Sequence, residues 1–245
     1  MGKHAKHGSL VKYPTFLAVV GLIWAGPANA CRLALVLAID VSSSVDPAED
    51  QLQRAGLASA LLDPDVEAAF FISPDPVAVY VFEWSGRYNQ QVLVDWTMVD
   101  TPRVLLDVAQ DIAESKRLHD DFPTAMGYAL GYAATELKHA SSCLTQTIDI
   151  AGDGVNNDGF GPIEAYAAFP FEGVTVNGMV VNGADFEGET DLIPFFENQV
   201  MRGPGAFIEI ANGFDDYAAA MRRKLLRELT SMIIGASPQT HPPKG

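Results

Sequence analysis

The chain has 245 residues and a formal net charge of −15 at pH 7, because 31 Asp and Glu outnumber 16 Lys and Arg. Such an acidic protein repels nucleic acid and anionic lipid, so neither is expected as a partner. An acidic protein attracts basic protein surfaces and metal cations, so these are the partners that the charge favours.

The first 30 residues predict a secretory signal peptide. Lys3, Lys6 and Lys12 form a positive region, and the apolar stretch 16–25 is shorter than the roughly 20 residues that a membrane-spanning helix needs. Residues 28–30 have the small-x-small form of a cleavage site. We therefore expect a periplasmic or secreted protein with a mature charge of −18 and no stable membrane insertion after cleavage.

Two alternatives stay open at this end of the chain. The apolar stretch could be an uncut membrane anchor, and Cys31, the first residue after cleavage, could be acylated as in a lipoprotein. Both cysteines, Cys31 and Cys143, lie in the mature part, and an even count in an exported chain suggests a disulfide. Whether the two can meet depends on the fold.

The first half of the mature chain predicts three strands and two helices. Residues 33–39 are apolar without polar alternation, as expected of a parallel strand buried on both faces. Residues 47–62 begin with a Pro and acids and continue with helical periodicity. The strands 77–84 and 90–99 are separated by a short turn and should form a hairpin, and a helix follows at 101–115.

The second half continues the alternation of strands and helices. It contains the helices 124–140, 162–168, 191–201 and 215–229 and the strands 145–152, 174–181 and 206–211. We predict an α/β fold over residues 31–236: a doubly wound, mainly parallel six-stranded sheet with one antiparallel edge strand and helices on both faces. Residues 237–245 are predicted to be a disordered tail.

Oxygen-bearing side chains gather at the predicted carboxyl ends of strands, where ligands of such sheets bind. Asp40 ends the first strand, Ser42 and Ser44 follow it, Thr124 opens a helix, and Asp153 follows a later strand. The set contains hydroxyl and carboxylate oxygens and neither sulfur nor imidazole. It therefore suits Mg²⁺, Mn²⁺ or Ca²⁺ better than zinc or copper.

These residues resemble the metal-ion-dependent adhesion site of von Willebrand factor type A domains, whose pattern is Asp-x-Ser-x-Ser, a later Thr and a later Asp. The matching segments are DVSSS from Asp40, DFPTAMGYAL around Thr124 and DIAGDGVNN around Asp153. The resemblance covers nearly all of the mature chain and looks closest to an exported bacterial family of unknown function. The departures are Val41, which stands where Gly is commoner, and Gly152, which stands where Thr is commoner before the Asp that is kept as Asp153.

The resemblance implies a role for each of these residues. Ser42, Ser44 and Thr124 would bind a divalent cation directly, and Asp40 and Asp153 would hold it through water. The cation would then take an acidic side chain of a protein partner as its last ligand. The implied function is that of an exported, metal-dependent protein-binding domain of the adhesion type, without enzymatic activity.

The resemblance also makes the strands that end at Asp40 and before Asp153 parallel neighbours. Cys31 precedes Asp40 by nine residues and Cys143 precedes Asp153 by ten. Both cysteines would then lie at the end of the sheet opposite the metal. A Cys31–Cys143 disulfide is therefore expected, unless Cys31 is acylated.

Two other hypotheses fit the same residues. The protein could be a hydrolase that uses the ion to activate water, or a structural domain with a vestigial metal site. A haloacid dehalogenase-type phosphatase needs a second Asp where Ser42 stands, and the Gly-x-Ser-x-Gly of serine hydrolases is absent. Asn156, Asn157 and Asp158 fail the EF-hand spacing and are predicted to cap and turn their loop. His119 is predicted to be a surface loop residue.

Overall fold

The computed structural model describes residues 1–2, 31–140, 142–182 and 191–234. Apart from residues 1–2, the predicted signal peptide lies outside the described residues, as does the predicted tail at 237–245. Within the described ranges, no helix combines the length and the apolar character that crossing a bilayer requires.

Six strands form one sheet in the order β3-β2-β1-β4-β5-β6. The strands are β1 Cys31–Asp40, β2 Val77–Ser85, β3 Asn89–Val99, β4 Cys143–Gly152, β5 Val174–Val181 and β6 Ile208–Ala211. Neighbours are parallel except for the β2–β3 hairpin, which makes β3 an antiparallel edge strand. The predicted sheet is confirmed, and its strand order reverses between β1 and β4.

Helices cover both faces of the sheet. They are α1 Pro47–Leu61, α2 Pro64–Phe70, α3 Pro102–Glu114, α4 Met126–Glu136, α5 Pro162–Ala168, α6 Leu192–Phe195 and α7 Tyr217–Ile234. The helices α1, α2, α3 and α7 pack on one face, and α4, α5 and α6 pack on the other. Every residue of β1 is buried between these layers, which explains why residues 33–39 lack polar alternation.

Four helices differ from the sequence prediction, and one of them is α7, predicted at 215–229 and observed over Tyr217–Ile234. The helix α2 is not among the predicted helices, although Asp63 caps its first turn and Pro64 opens it. The helix predicted from residue 124 begins at Met126 because the two residues before it belong to a loop at the sheet edge. The helix predicted at 191–201 is the single turn α6, continued by a π-helical segment, Phe196–Val200.

A disulfide joins Cys31 and Cys143, as predicted. The two residues are register partners in the parallel strands β1 and β4, and their Cα atoms are 4.4 Å apart. They lie at the amino ends of these strands, opposite the sheet edge at which Asp40 lies. The structure therefore favours the disulfide over an acylated Cys31.

Candidate metal site

The predicted site residues come together at the carboxyl edge of the sheet, between β1 and β4. The loop after β1 carries Ser42 and Ser44, the segment before α4 carries Thr124, and the loop after β4 carries Asp153. Ser42 Oγ lies 3.2 Å from Ser44 Oγ and accepts a hydrogen bond from Thr124 Oγ1 at 3.1 Å. Ser44 Oγ donates to Asp153 Oδ1 at 2.7 Å. Three distant segments thus contribute to one cluster of oxygens, at the point where the strand order reverses.

Asp40 forms the buried floor of this cluster. Its Oδ1 accepts a hydrogen bond from the Ser42 backbone N–H at 2.8 Å, and its backbone carbonyl accepts one from Gln53 Nε2 at 2.8 Å. Its Oδ2 is buried and has no hydrogen-bond partner among the described residues. Burial, and then the charge of Asp153, raise the pKa of Asp40 well above its ordinary value in the absence of a cation. A positive charge beside Oδ2 would offset both effects.

Two glycines leave room around these oxygens. A Cβ on Gly152 would lie 3.2 Å from Asp40 Oδ2, and a Cβ on Gly154 would lie 3.4 Å from Thr124 Oγ1. Asp40, Ser42 and Thr124 are buried, whereas Ser44 is exposed. The cluster is therefore closed on the sheet side and open to solvent on the Ser44 side.

Arg117 holds the loop after β1, a role that was not predicted from the sequence. Its guanidinium donates to the carbonyls of Val41 and Val45 at 2.7 Å each and to the carbonyl of Ser42 at 2.9 Å. Its Nε donates to the His119 carbonyl at 2.7 Å. One side chain thus fixes the backbone that presents Ser42 and Ser44. No motif in the sequence around Arg117 predicts this contact.

The loop after β4 fixes the other side of the cluster. Asn157 Oδ1 accepts a hydrogen bond from the Thr124 N–H at 2.9 Å, and the Thr124 carbonyl accepts one from the Asn157 N–H at 2.9 Å. Asn156 Oδ1 accepts from the N–H of Gly127, in the first turn of α4, at 3.1 Å. Asp158 pairs with Arg87 at 2.7 Å. The capping predicted for this segment is observed for the two asparagines, whose side chains accept hydrogen bonds from the first turn of α4 and from the residue Thr124 before it.

The side chains fit a hard divalent cation, because the cluster offers three hydroxyl and two carboxylate residues. Within the described ranges, no group of three or more His, Cys, Asp and Glu is arranged to hold a metal. The cluster is of a different kind, since hydroxyls form most of its donor set. The buried Asp40 Oδ2, which lacks a hydrogen-bond donor in this part of the chain, is the observation that favours a cation here.

Solved structures share this fold at low sequence identity. A von Willebrand factor type A protein from Catenulispora acidiphila has a TM-score of 0.56 and 15% identity, covering 82% of this chain and 43% of that one. Proximal thread matrix protein 1 from the mussel byssus, with a zinc-occupied MIDAS motif, has a TM-score of 0.57 and 16% identity, covering 82% and 48%. The PilB minor pilin from Streptococcus sanguinis has a TM-score of 0.63 and 11% identity, covering 85% and 64%.

These likenesses define the fold as that of a von Willebrand factor type A-like domain. A family model described as "Protein of unknown function (DUF1194)" matches residues 30–233, and the chain belongs to this family. No curated protein matches the sequence. The chain spans less than two thirds of the length of each of the three solved relatives.

Proposed function

We propose that this chain is an exported, metal-dependent protein-binding domain of the adhesion type. The observation that carries the proposal is that Ser42, Ser44, Thr124 and Asp153 are linked by side-chain contacts beside Asp40, whose buried Oδ2 has no hydrogen-bond partner among the described residues. The Cys31–Cys143 disulfide supports a periplasmic or secreted location, because disulfides persist in oxidising compartments. The zinc-occupied MIDAS motif of the byssus protein and the pilin among the solved relatives support the same class of function.

In this proposal, Ser42, Ser44 and Thr124 hold Mg²⁺, or Mn²⁺ or Ca²⁺, through their hydroxyl oxygens. Asp40 and Asp153 balance the charge through water. When bound, the cation supplies a position that can exchange water for a carboxylate oxygen. The partner approaches from the exposed Ser44 side, since the other side is closed by the sheet.

The proposed role involves no catalysis. A hydrolase that used the ion would need a general base beside it that is free to take a proton. Here the two carboxylates of the cluster are assigned to the cation, so neither is left to act as that base. We therefore assign binding, and not hydrolysis, to this edge of the sheet.

The partner is expected to bind only in the presence of the cation. Immobilised protein should capture an exported protein from extract in Mg²⁺ and lose it in chelator. Thr124→Val keeps the size of the buried side chain but removes a proposed ligand, so it should abolish capture with an unchanged circular dichroism spectrum. Ser43→Ala is the matched control because Ser43 is exposed in the same cluster of serines and should bind normally. A partner whose affinity ignores both chelator and Thr124→Val would contradict the proposal.

Arg117→Lys is expected to weaken Mg²⁺ binding by about 10-fold or more, as loss of outer-shell support typically does. Lysine keeps the positive charge but cannot reach the carbonyls of Val41, Ser42 and Val45 together, because it lacks the planar fork of donors. Isothermal titration of wild type and variant would measure the change. Equal affinities would show that the loop keeps its shape without this contact.

A further inference from the structure

A second cluster of ionisable side chains lies inside the protein, between the sheet and α7. Asp149 in β4 is 1% exposed, Lys224 in α7 is fully buried, and Glu228, one turn later, is 4% exposed. Lys224 Nζ lies 2.7 Å from Asp149 Oδ1 and 2.7 Å from Glu228 Oε1. The proposed metal site does not use any of the three residues.

An aromatic ring and an amide side chain border the cluster. The ring of Phe207 lies 5.0 Å from Lys224 Nζ, and the polar neighbour Asn177 donates to Glu228 Oε1 at 2.8 Å. Asp149 Oδ1 forms an ion pair with Lys224 Nζ, but the angles at this contact are not those of a hydrogen bond. Neither oxygen of Asp149 has a hydrogen-bond partner among the described residues. The Asp149 carboxyl is therefore packed against the amine and shielded from solvent.

The charges of this cluster do not balance. One ammonium faces two carboxylates, and burying the surplus negative charge is unfavourable unless one acid takes up a proton. Burial, and then the charge of Glu228, raise the pKa of Asp149 to about 7, with Lys224 acting in the opposite direction. Burial lowers the pKa of Lys224, but the two carboxylates raise it by more, so the resting amine is protonated. Near neutral pH part of the Asp149 carboxyl is thus protonated beside the Lys224 ammonium.

We propose that Lys224 and Asp149 form an intramolecular isopeptide bond, with Glu228 as the proton acceptor and donor. Glu228 takes a proton from the Lys224 ammonium across their 2.7 Å contact, which leaves three neutral groups. The neutral Nζ attacks Cγ of the Asp149 carboxylic acid. A C–N bond forms, a C–O bond breaks, Glu228 passes a proton to the leaving hydroxyl and takes up the second amine proton from Nζ, so that it ends as a carboxylic acid.

The products are one secondary amide and one water molecule, so the step needs neither an oxidant nor a co-reactant. A neutral amide also removes the cost of keeping an ammonium and carboxylates away from water. The bond would tie α7 to β4, the strand that the Cys31–Cys143 disulfide already ties to β1. Both cross-links would join elements that are distant in the sequence.

The mass of the intact, reduced and denatured chain tests the proposal. The wild-type protein is expected to weigh one water less than its processed sequence, and tandem mass spectrometry should find a branched peptide that joins Asp149 to Lys224. Glu228→Gln keeps an oxygen for Asn177 and Lys224 but cannot shuttle the proton. It should therefore show the full mass with an unchanged circular dichroism spectrum.

Succinimide formation is the competing source of water loss. It occurs at Asp-Gly sequences, and this chain has two, at 153–154 and 158–159. Hydroxylamine opens a succinimide and leaves an amide intact. A wild-type chain of full mass, or a loss of water that maps to an Asp-Gly peptide, would overturn the proposal. Lys224, Asp149 and Glu228 would then be an ion cluster without a covalent bond. Water loss that persists in Glu228→Gln would overturn the role of Glu228.

Discussion

Replacing Cys31 and Cys143 with alanine is expected to lower the free energy of unfolding by about 4 to 5 kcal/mol. The disulfide closes a loop with a sequence separation of 112, and loops of this length restrict the unfolded chain most strongly. It also fastens two neighbouring central strands, β1 and β4. Urea unfolding of wild type and the double variant, followed by circular dichroism, measures the difference.

Reductant provides the control for this experiment. It should destabilise the wild-type protein to a similar extent and leave the double variant unchanged. Thiol labelling of the purified wild-type protein under denaturing, non-reducing conditions should find no reactive cysteine. Two labelled thiols would show that the bond does not form in the expressed protein, and an acylated Cys31 would leave one thiol, on Cys143.

Addition of Mg²⁺ or Mn²⁺ is expected to raise the melting temperature of the wild-type protein and not that of Asp40→Asn. A cation that binds only the folded state stabilises it by about 2.7 kcal/mol when its free concentration is about 100 times the Kd. Asparagine keeps the shape of Asp40 and an oxygen for the Ser42 N–H, but removes the charge. Without a cation, Asp40→Asn should be at least as stable as wild type, because the repulsion between Asp40 and Asp153 is gone.

Ser43→Ala serves as the matched control and should keep the full response to the cation. This pattern separates the proposed site from weak binding elsewhere on an acidic surface. If Asp40→Asn responds like wild type, the cation binds at another place. If the wild-type protein does not respond to any divalent cation, the site is vestigial and the domain is structural.

Much of the fold could be predicted from the sequence because the relevant signals are local. The unbroken apolar run at 33–39 reflects burial on both faces of one strand, which does not depend on the identity of its neighbours. Pro47 and the acids after it predict the start of α1, and Asp46 and Glu49 form a capping box there. The helix α2 has equally local signals in Asp63 and Pro64, so it could have been predicted from the sequence.

The three segments of the candidate site could also be predicted, since the carboxyl ends of parallel strands meet at one edge of a sheet. What the sequence pattern does not specify is how the loops are held in place. Arg117 lies more than 70 residues from the Val41, Ser42 and Val45 carbonyls that it binds, and its sequence neighbours carry no sign of that contact.

By itself, the sequence determined most of the order of strands and helices, the residues at the strand ends and the presence of two cysteines in the mature chain. Only the tertiary structure decided which polar side chains are buried together. Lys224 stands among Arg222, Arg223 and Arg227, where a basic residue looks like part of a solvated helix face. It is buried against Asp149 because α7 packs on the sheet, and burial of this kind depends on contacts between elements that are far apart in the chain.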